Sequence, residues 1–375
     1  MNDTVRKILL GIVIIAIGGT IFYVQSKSAA PKDDGLSDEQ VFELGNSGSK
    51  AKDTKYERAK ELVEPNGFIN TDGITLGELV GKKVILVDFW TYSCINCQRT
   101  TPFLNSWYDK YRDKGLEIIG VHTPEFDFEK KYENVVRAVE KFEIEYPVVQ
   151  DNDYKTWRAY KNRYWPRKYL IDIDGFIVYD HIGEGAYEET ERKIQELLKE
   201  RMTRLGESGD IEMELTAEQK KSGQVGSPEV YFGALRNELL TNGRRGQVGK
   251  QINEAVENPE TNRLYLVGAW DIQEEYAQND SERAKVVFLY GASNVFTVAA
   301  GANGKEVVVE VLRDGKPIPE AVAGDDIYFE NGKSYMKVSE EQLYTIIKDP
   351  EGFGAHILTL IPQTPGLQMF TFTFG

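Results

Sequence analysis

The sequence predicts an α/β domain, a mixed sheet covered by helices on both faces, followed by an all-β sandwich of the jelly-roll kind. Three observations predict it. Residues 84–90 (VILVDFW) form a continuous apolar run of the kind that fills a strand buried on both sides. Between residues 99 and 202, helical periodicity alternates with further short strand-like runs. Beyond residue 225 the pattern turns to short strands without a helical stretch, several of them separated by the turn pairs Asn303-Gly304, Asp314-Gly315 and Asn331-Gly332.

At the N-terminus, residues 1–7 form a basic flank ending in Arg6 and Lys7. Residues 8–24 (ILLGIVIIAIGGTIFYV) follow without a charge. At about 1.5 Å rise per residue such a run is just long enough to cross a bilayer. A positive flank before it places the remaining chain outside the cytoplasm. A cleavable signal segment is the rival reading, with Ser28-Ala29-Ala30 as a small-residue site. Either way the folded part is expected outside. Residues 25–56, rich in Ser, Gly, Lys, Asp and Ala, read as a flexible tether.

The α/β domain is expected over residues 57–202. After the strand at 84–90, residues 99–114 space Phe103, Leu104, Trp107, Tyr108 and Tyr111 along one helix face. A second strand is expected at 116–121 and a helix at 128–142, with Tyr132, Val135, Val136, Val139 and Phe142 on one side. A short strand at 147–149, a helix at 155–160 and a hairpin with arms 168–173 and 176–181 come next, the arms joined by Asp174-Gly175. A helix at 187–202 closes the unit, and the polar residues 203–224 read as a linker. The sandwich is expected over residues 225–375, with strands at 264–270, 285–290, 294–299, 306–312, 327–329, 334–338, 343–347, 356–361 and 369–374.

The chemistry-bearing residues sit where the first strand turns into its helix, at Trp90-Thr91-Tyr92-Ser93-Cys94-Ile95-Asn96-Cys97. Two thiols separated by two residues at a helix N-terminus can close a small disulfide ring. The first sulfur meets unpaired N–H groups and the positive end of the helix dipole, which favour a thiolate. That thiolate can attack a substrate disulfide, and the second thiol can resolve the mixed disulfide. Cys94 is therefore the expected nucleophile and Cys97 the resolving thiol. Half a zinc site or a structural disulfide are the bland alternatives, and the strand–turn–helix setting favours redox use. The two cysteines are the only ones in the chain, and His122, His181 and His356 lie far apart, so no complete metal motif is present in the sequence and no metal is expected.

These residues carry a resemblance. Val87-Asp88-Phe89-Trp90 before the cysteines, Pro102 after them and Trp165-Pro166 before the strand at 168–173 resemble the thioredoxin superfamily pattern. The strings from Phe89 to Arg99, Gly120-Val121-His122-Thr123-Pro124-Glu125-Phe126 and Arg163-Tyr164-Trp165-Pro166 are similar to the extracytoplasmic domain of DipZ proteins, within the TlpA/ResA-like group. Ser227-Pro228-Glu229-Val230-Tyr231-Phe232-Gly233 and the ending Phe370-Thr371-Phe372-Thr373-Phe374-Gly375 resemble the DipZ C-terminal module, which is similar in fold to carbohydrate-binding modules. Fold alone does not establish sugar binding. Trp270, Tyr231 and Tyr276 could stack on a sugar, and core packing is their simpler role.

The resemblance implies a thiol–disulfide oxidoreductase that reduces disulfides of exported proteins, with cytochrome c maturation among the processes served. It needs no cofactor beyond the Cys94–Cys97 pair. It implies that Asp88 relays protons to and from the resolving cysteine, and a carboxyl inside an apolar strand should indeed have a raised pKa. It implies that Pro166 is cis and presents the backbone of Trp165 to an extended substrate, with Trp90 and Tyr92 completing the substrate-binding surface. His122 is a possible accessory at the end of its strand. Thr100 stands where many ResA-like proteins carry Glu, which puts the acid role on Asp88. The family's multi-helix electron-transfer domain has no counterpart here, so a separate membrane electron donor of the DsbD/CcdA type is expected.

Composition sets the outer limits. Apolar residues make up 41% of the chain, enough for packed cores. With 45 Lys and Arg against 60 Asp and Glu, the net charge is −15, which argues against a nucleic-acid partner. Two rival functions remain distinct in kind: a surface binding protein whose sandwich takes carbohydrate or protein while the cysteines form a structural clamp, and a metal-binding module using Cys94 and Cys97. Neither needs Asp88, Pro102 and Pro166 in place.

Overall fold

In a computed structural model, which describes residues 52, 54–216, 223–282, 284–349 and 352–375, the apolar run at 84–90 is a strand buried along its whole length. The unit around it contains β1 (Gly67–Ile69), α1 (Leu76–Leu79), β2 (Val84–Trp90), α2 (Ile95–Tyr111), β3 (Leu116–His122), α3 (Tyr132–Lys141), β4 (Val148–Gln150), α4 (Lys155–Ala159), β5 (Arg167–Ile171), β6 (Ile177–Ile182) and α5 (Tyr187–Leu205). The sheet runs β1-β4-β3-β2-β5-β6, with β2–β3 and β3–β4 parallel and the other pairs antiparallel.

Alternation along β2 decides which side chains meet the active site. Ile85, Val87 and Phe89 join Leu76, Trp157, Tyr160 and Tyr169 in one hydrophobic layer. Asp88 and Trp90 therefore face the opposite layer, where the indole nitrogen of Trp90 crosses so close to Gly120 that a Cβ there would lie 2.9 Å from it. Antiparallel pairing sets Lys168 of β5 beside Asp88, and parallel pairing sets His122 beside Trp90.

The C-terminal unit is all β, with only short 3-10 turns among its described residues. Its strands are β7 (Val230–Tyr231), β8 (Gly249–Asn253), β9 (Leu264–Ile272), β10 (Ala277–Asn279), β11 (Lys285–Ala292), β12 (Asn294–Gly301), β13 (Val307–Arg313), β14 (Lys316–Pro317), β15 (Ile327–Glu330), β16 (Lys333–Val338), β17 (Gln342–Lys348), β18 (Gly354–Pro362) and β19 (Leu367–Phe374). One layer runs β15-β16-β13-β18-β11-β9 and the other β9-β10-β19-β12-β17. β9 serves both: its first four residues pair with β11, and from Gly268 onward it pairs with β8 and then β10. Gly268 has φ of +83°, a backbone turn that side chains resist, at the point where the strand changes layer. Phe288, Phe372 and Phe374 stack between the layers, and Trp270 is wholly buried with its N–H on the Val267 carbonyl at 2.9 Å. Trp270 thus belongs to the core.

Two expected boundaries move, and one expected segment is outside the described residues. The anchor at 8–24, its flank and most of the tether lie outside the described residues, and among those described no helix is long and apolar enough to cross a membrane. The end of the tether is part of the fold: Lys52 pairs with Asp172 (2.6 Å), Asp174 (3.1 Å) and Glu200 (2.7 Å), and Glu57 and Ala59 exchange backbone hydrogen bonds with the β5–β6 hairpin. The first part of the expected linker is also docked. α5 continues to Leu205, Ile211 is buried, and the Glu212 carbonyl accepts from Tyr111 (3.3 Å) and Gln195 (3.2 Å). The Thr216 amide reaches Glu191 at 2.8 Å.

Candidate active site

β2 ends at Trp90, the chain turns through Thr91–Ser93, and Cys94 caps α2. Its sulfur accepts the Cys97 amide hydrogen at 3.4 Å, a use of one of the open N–H groups at the helix start. Cys94 is half-buried and Cys97 is buried, and both are free thiols. Exposure therefore distinguishes the two sulfurs in the sense that the motif predicts.

The opposite wall of the cleft is the segment before β5. The Trp165–Pro166 bond is cis, and the Trp165 carbonyl lies 3.9 Å from Cys94 Sγ. The Trp165 ring rests on Trp157, with centroids 4.3 Å apart, and its N–H donates to the Thr123 carbonyl at 3.0 Å. Asn162 fastens the loop ahead of it, accepting from the Arg163 amide (2.8 Å) and donating to the Tyr164 carbonyl (3.1 Å). The backbone beside Cys94 is thus held from both sides.

Beneath the pair lies a buried charge system. Asp88 is buried, and its Oδ1 has no hydrogen-bond partner among the described residues. Burial raises its carboxyl to about 7, partly offset by the Lys168 ammonium. Burial also pushes the Cys97 thiol well above its usual value, helped by Cys94 and by the charge of Asp88. Lys168 is equally enclosed, with its Nζ on the Gly183 carbonyl at 3.2 Å; burial pulls it down against the opposing pull of Asp88 and Cys97. The arrangement gives Cys97 a nearby group able to exchange a proton near neutral pH.

The structure brings Cys94, Cys97, Asp88, Trp165 and Pro166 together, and it moves three other expected residues out of the cleft. Trp90 and Tyr92 are buried at 2% and 6% exposure, so they shape the turn from below rather than offer surface to a substrate. His122 is fully enclosed, edge-on to Trp90 and stacked on Tyr92, and burial drops its pKa to about 3. A neutral ring without access cannot act as an accessory acid or base near pH 7. Thr100 is buried and bonds the Asn96 carbonyl at 2.9 Å. Sequence reasoning missed Lys168 and also Glu129, a buried acid bonded to Ser93. Nothing local to either residue signals its role: Lys168 stands between Arg167 and Tyr169.

The chain matches known proteins in both units. A family model described as thioredoxin-like matches residues 81–177, and one described as a thioredoxin-like C-terminal domain matches residues 227–375. Protein DipZ of Mycobacterium bovis is 34% identical over 320 residues, covering 84% of this chain and 43% of DipZ. The chain therefore spans less than half the length of that relative. The thiol-disulfide oxidoreductase ResA of Bacillus cereus is 34% identical over 138 residues, covering 36% of this chain and 76% of ResA. The thiol-disulfide oxidoreductase YkuV of Bacillus subtilis is 27% identical over 140 residues, covering 37% of this chain and 93% of YkuV.

Proposed function

The chain belongs to the thioredoxin-like thiol–disulfide oxidoreductases of the DipZ and TlpA/ResA-like group, and we propose that this protein-disulfide oxidoreductase works outside the cytoplasm, anchored through residues 8–24, reducing disulfides of exported proteins. The observation that carries the exchange chemistry is the contact of Cys94 Sγ with the Trp165 carbonyl at 3.9 Å, with Cys97 enclosed behind it; the apolar run at 8–24 supports the location.

An extended segment of a substrate passes along the Trp165 backbone and brings its disulfide to Cys94. The Cys94 thiolate attacks one sulfur of that bond; the bond breaks, and the other substrate sulfur leaves as a thiol after taking a proton. Cys97 gives its proton to Asp88 and attacks Cys94, which releases the second substrate sulfur. Two electrons have passed to the substrate, and Cys94–Cys97 is now a disulfide. A separate membrane donor of the DsbD/CcdA type returns the electrons. Lys168 holds Asp88 nearer its charged form and so sets the pH at which Asp88 can accept the proton.

The test is trapping. Cys97→Ser should accumulate a covalent complex with exported thiol proteins through Cys94, released by reductant, whereas Cys94→Ser should capture none. A Cys94→Ser protein that retains full activity, or stoichiometric zinc in the purified chain, counts against this reading. The redox potential of the pair decides direction: a value near that of thioredoxin supports reduction, and one near the strongest oxidants reverses it.

A further inference from the structure

One buried acid beside Cys94 has no part in the steps above. Glu129 lies in the 3-10 turn Asp127–Lys130 after β3 and is fully enclosed. Its Oε2 accepts the amide hydrogens of Glu125 (2.5 Å) and Phe126 (3.0 Å), which ties off the open N–H groups at the start of that turn. Capping requires only that oxygen. Oε1 reaches the other way and accepts from the Ser93 amide at 3.3 Å and the Ser93 hydroxyl at 2.6 Å. Ser93 is the residue before Cys94. The loop that Oε2 holds also carries Thr123, whose amide donates to the Trp90 carbonyl at 3.1 Å and whose carbonyl accepts the Trp165 indole N–H. One carboxylate thus joins the turn bearing Cys94 to the loop that steadies Trp165.

We propose that Glu129 is a positioning residue for disulfide exchange, fixing as a carboxylate the placement of Cys94 against the Trp165 backbone along which the substrate segment lies. The inference rests on the reading of Cys94 as the nucleophile. Donors from Ser93, Glu125 and Phe126, with Thr91 beside them, converge on the two oxygens, so a proton on this carboxyl must turn a hydroxyl round or displace an amide. Burial pushes the carboxyl up to about 6, against the donors of Ser93, Thr91 and Phe126 and with the help of Glu125. The other charged neighbours are settled elsewhere: Asp127 and Lys130 pair at the surface at 2.9 Å, and His122 is held neutral by burial. The clamp therefore loosens as pH falls through about 6.

Two rates on the reduced full-length chain, measured from about pH 5 to about pH 8, test it. One is the first exchange step alone, release of one half of a disulfide-bonded fluorescent peptide by a chain carrying Cys97→Ser, in which the Asp88-assisted second step does not occur. The other is alkylation of Cys94 by iodoacetamide, which needs the thiol but no ordered cleft. Glu129→Gln should slow exchange by about tenfold or more while alkylation stays within about twofold. The ratio of exchange to alkylation should fall below about pH 6 with Glu129 intact and stay level in the Gln variant. Ser93→Ala, which keeps Glu129 and removes one hydrogen bond, should slow exchange by a smaller factor with alkylation again unmoved; it carries the test if the Gln variant does not fold. An equal loss in both rates, unchanged exchange in a folded variant, or a level ratio with Glu129 intact overturns the proposal. A native chain that exchanges no peptide disulfide at any pH overturns the reading of Cys94 instead.

Discussion

Asp88 and Lys168 are opposite charges buried side by side, and each makes a prediction about the other. Asp88 titrates near 7 in the fold against 3.8 in an unfolded chain, so the folded state holds its proton more tightly. That contribution to stability is fully present below about pH 4 and is lost as pH rises through about 7, a change on the order of a few kcal/mol. Asp88→Asn should change the slope by that amount, leaving the parts contributed by Glu129 and His122. Urea denaturation of both proteins at about pH 4 and about pH 7 measures it, and a variant with the same slope as the native chain would contradict the burial argument. Lys168→Met takes away the charge that, among the described residues, pulls Asp88 down, so Asp88 should titrate above about 7 and the resolving step should shift to higher pH. Stopped-flow decay of a preformed Cys94 mixed disulfide, followed against pH, reads that shift; an unmoved profile removes Lys168 from the mechanism. Neither Lys168 nor Glu129 was legible beforehand, because what makes them matter is pairing across the fold. Lys168 meets Asp88 only through the β2–β5 register, and Glu129 meets Ser93 only once the loop after β3 folds back. The cysteines, Asp88 and Pro166 were legible because strand, turn and motif are local.

At the level of elements, most strands of both units could be read from their apolar runs, down to the three-residue β4, whereas β1, β7, β8, β10 and β14 could not. β7, β10 and β14 are two or three residues long, too few to show a period. The segment after α5 misled for a different reason. Its composition is that of a linker, yet its backbone is fastened by Tyr111, Gln195 and Glu191, and composition carries no record of backbone bonds. This gives a prediction by truncation. A chain ending at residue 205 should melt several degrees below one ending at residue 216, since it leaves the Glu191 carboxylate and Tyr111 hydroxyl short of partners (about 1–3 kcal/mol for such a loss). Equal melting temperatures in differential scanning calorimetry would mean that the docked segment contributes nothing. In the sandwich, Phe372 packs on Phe232, Phe288 and Phe374 with no exposure, so Phe372→Ala should cost about 3–5 kcal/mol in urea unfolding.

For the whole molecule, the division into two units with separate cores was legible from the change of period alone, because each unit announces its own repeat. Every group used in the exchange chemistry lies within residues 52–216. A chain of those residues alone should therefore fold cooperatively and exchange a peptide disulfide at a rate within about threefold of the full chain. Insulin reduction by both chains makes the comparison, and a large deficit in the short chain would assign the sandwich a part in catalysis.

The strap at Lys52 has a mechanical meaning. Its ion cluster and the backbone bonds of Glu57 and Ala59 grip the β5–β6 turn, and Pro166 lies at the other end of β5, about 20 Å away at strand rise. Under the anchoring proposed above, a pull on the chain before Lys52 would meet the β5–β6 turn before it met β2 or the turn holding Cys94.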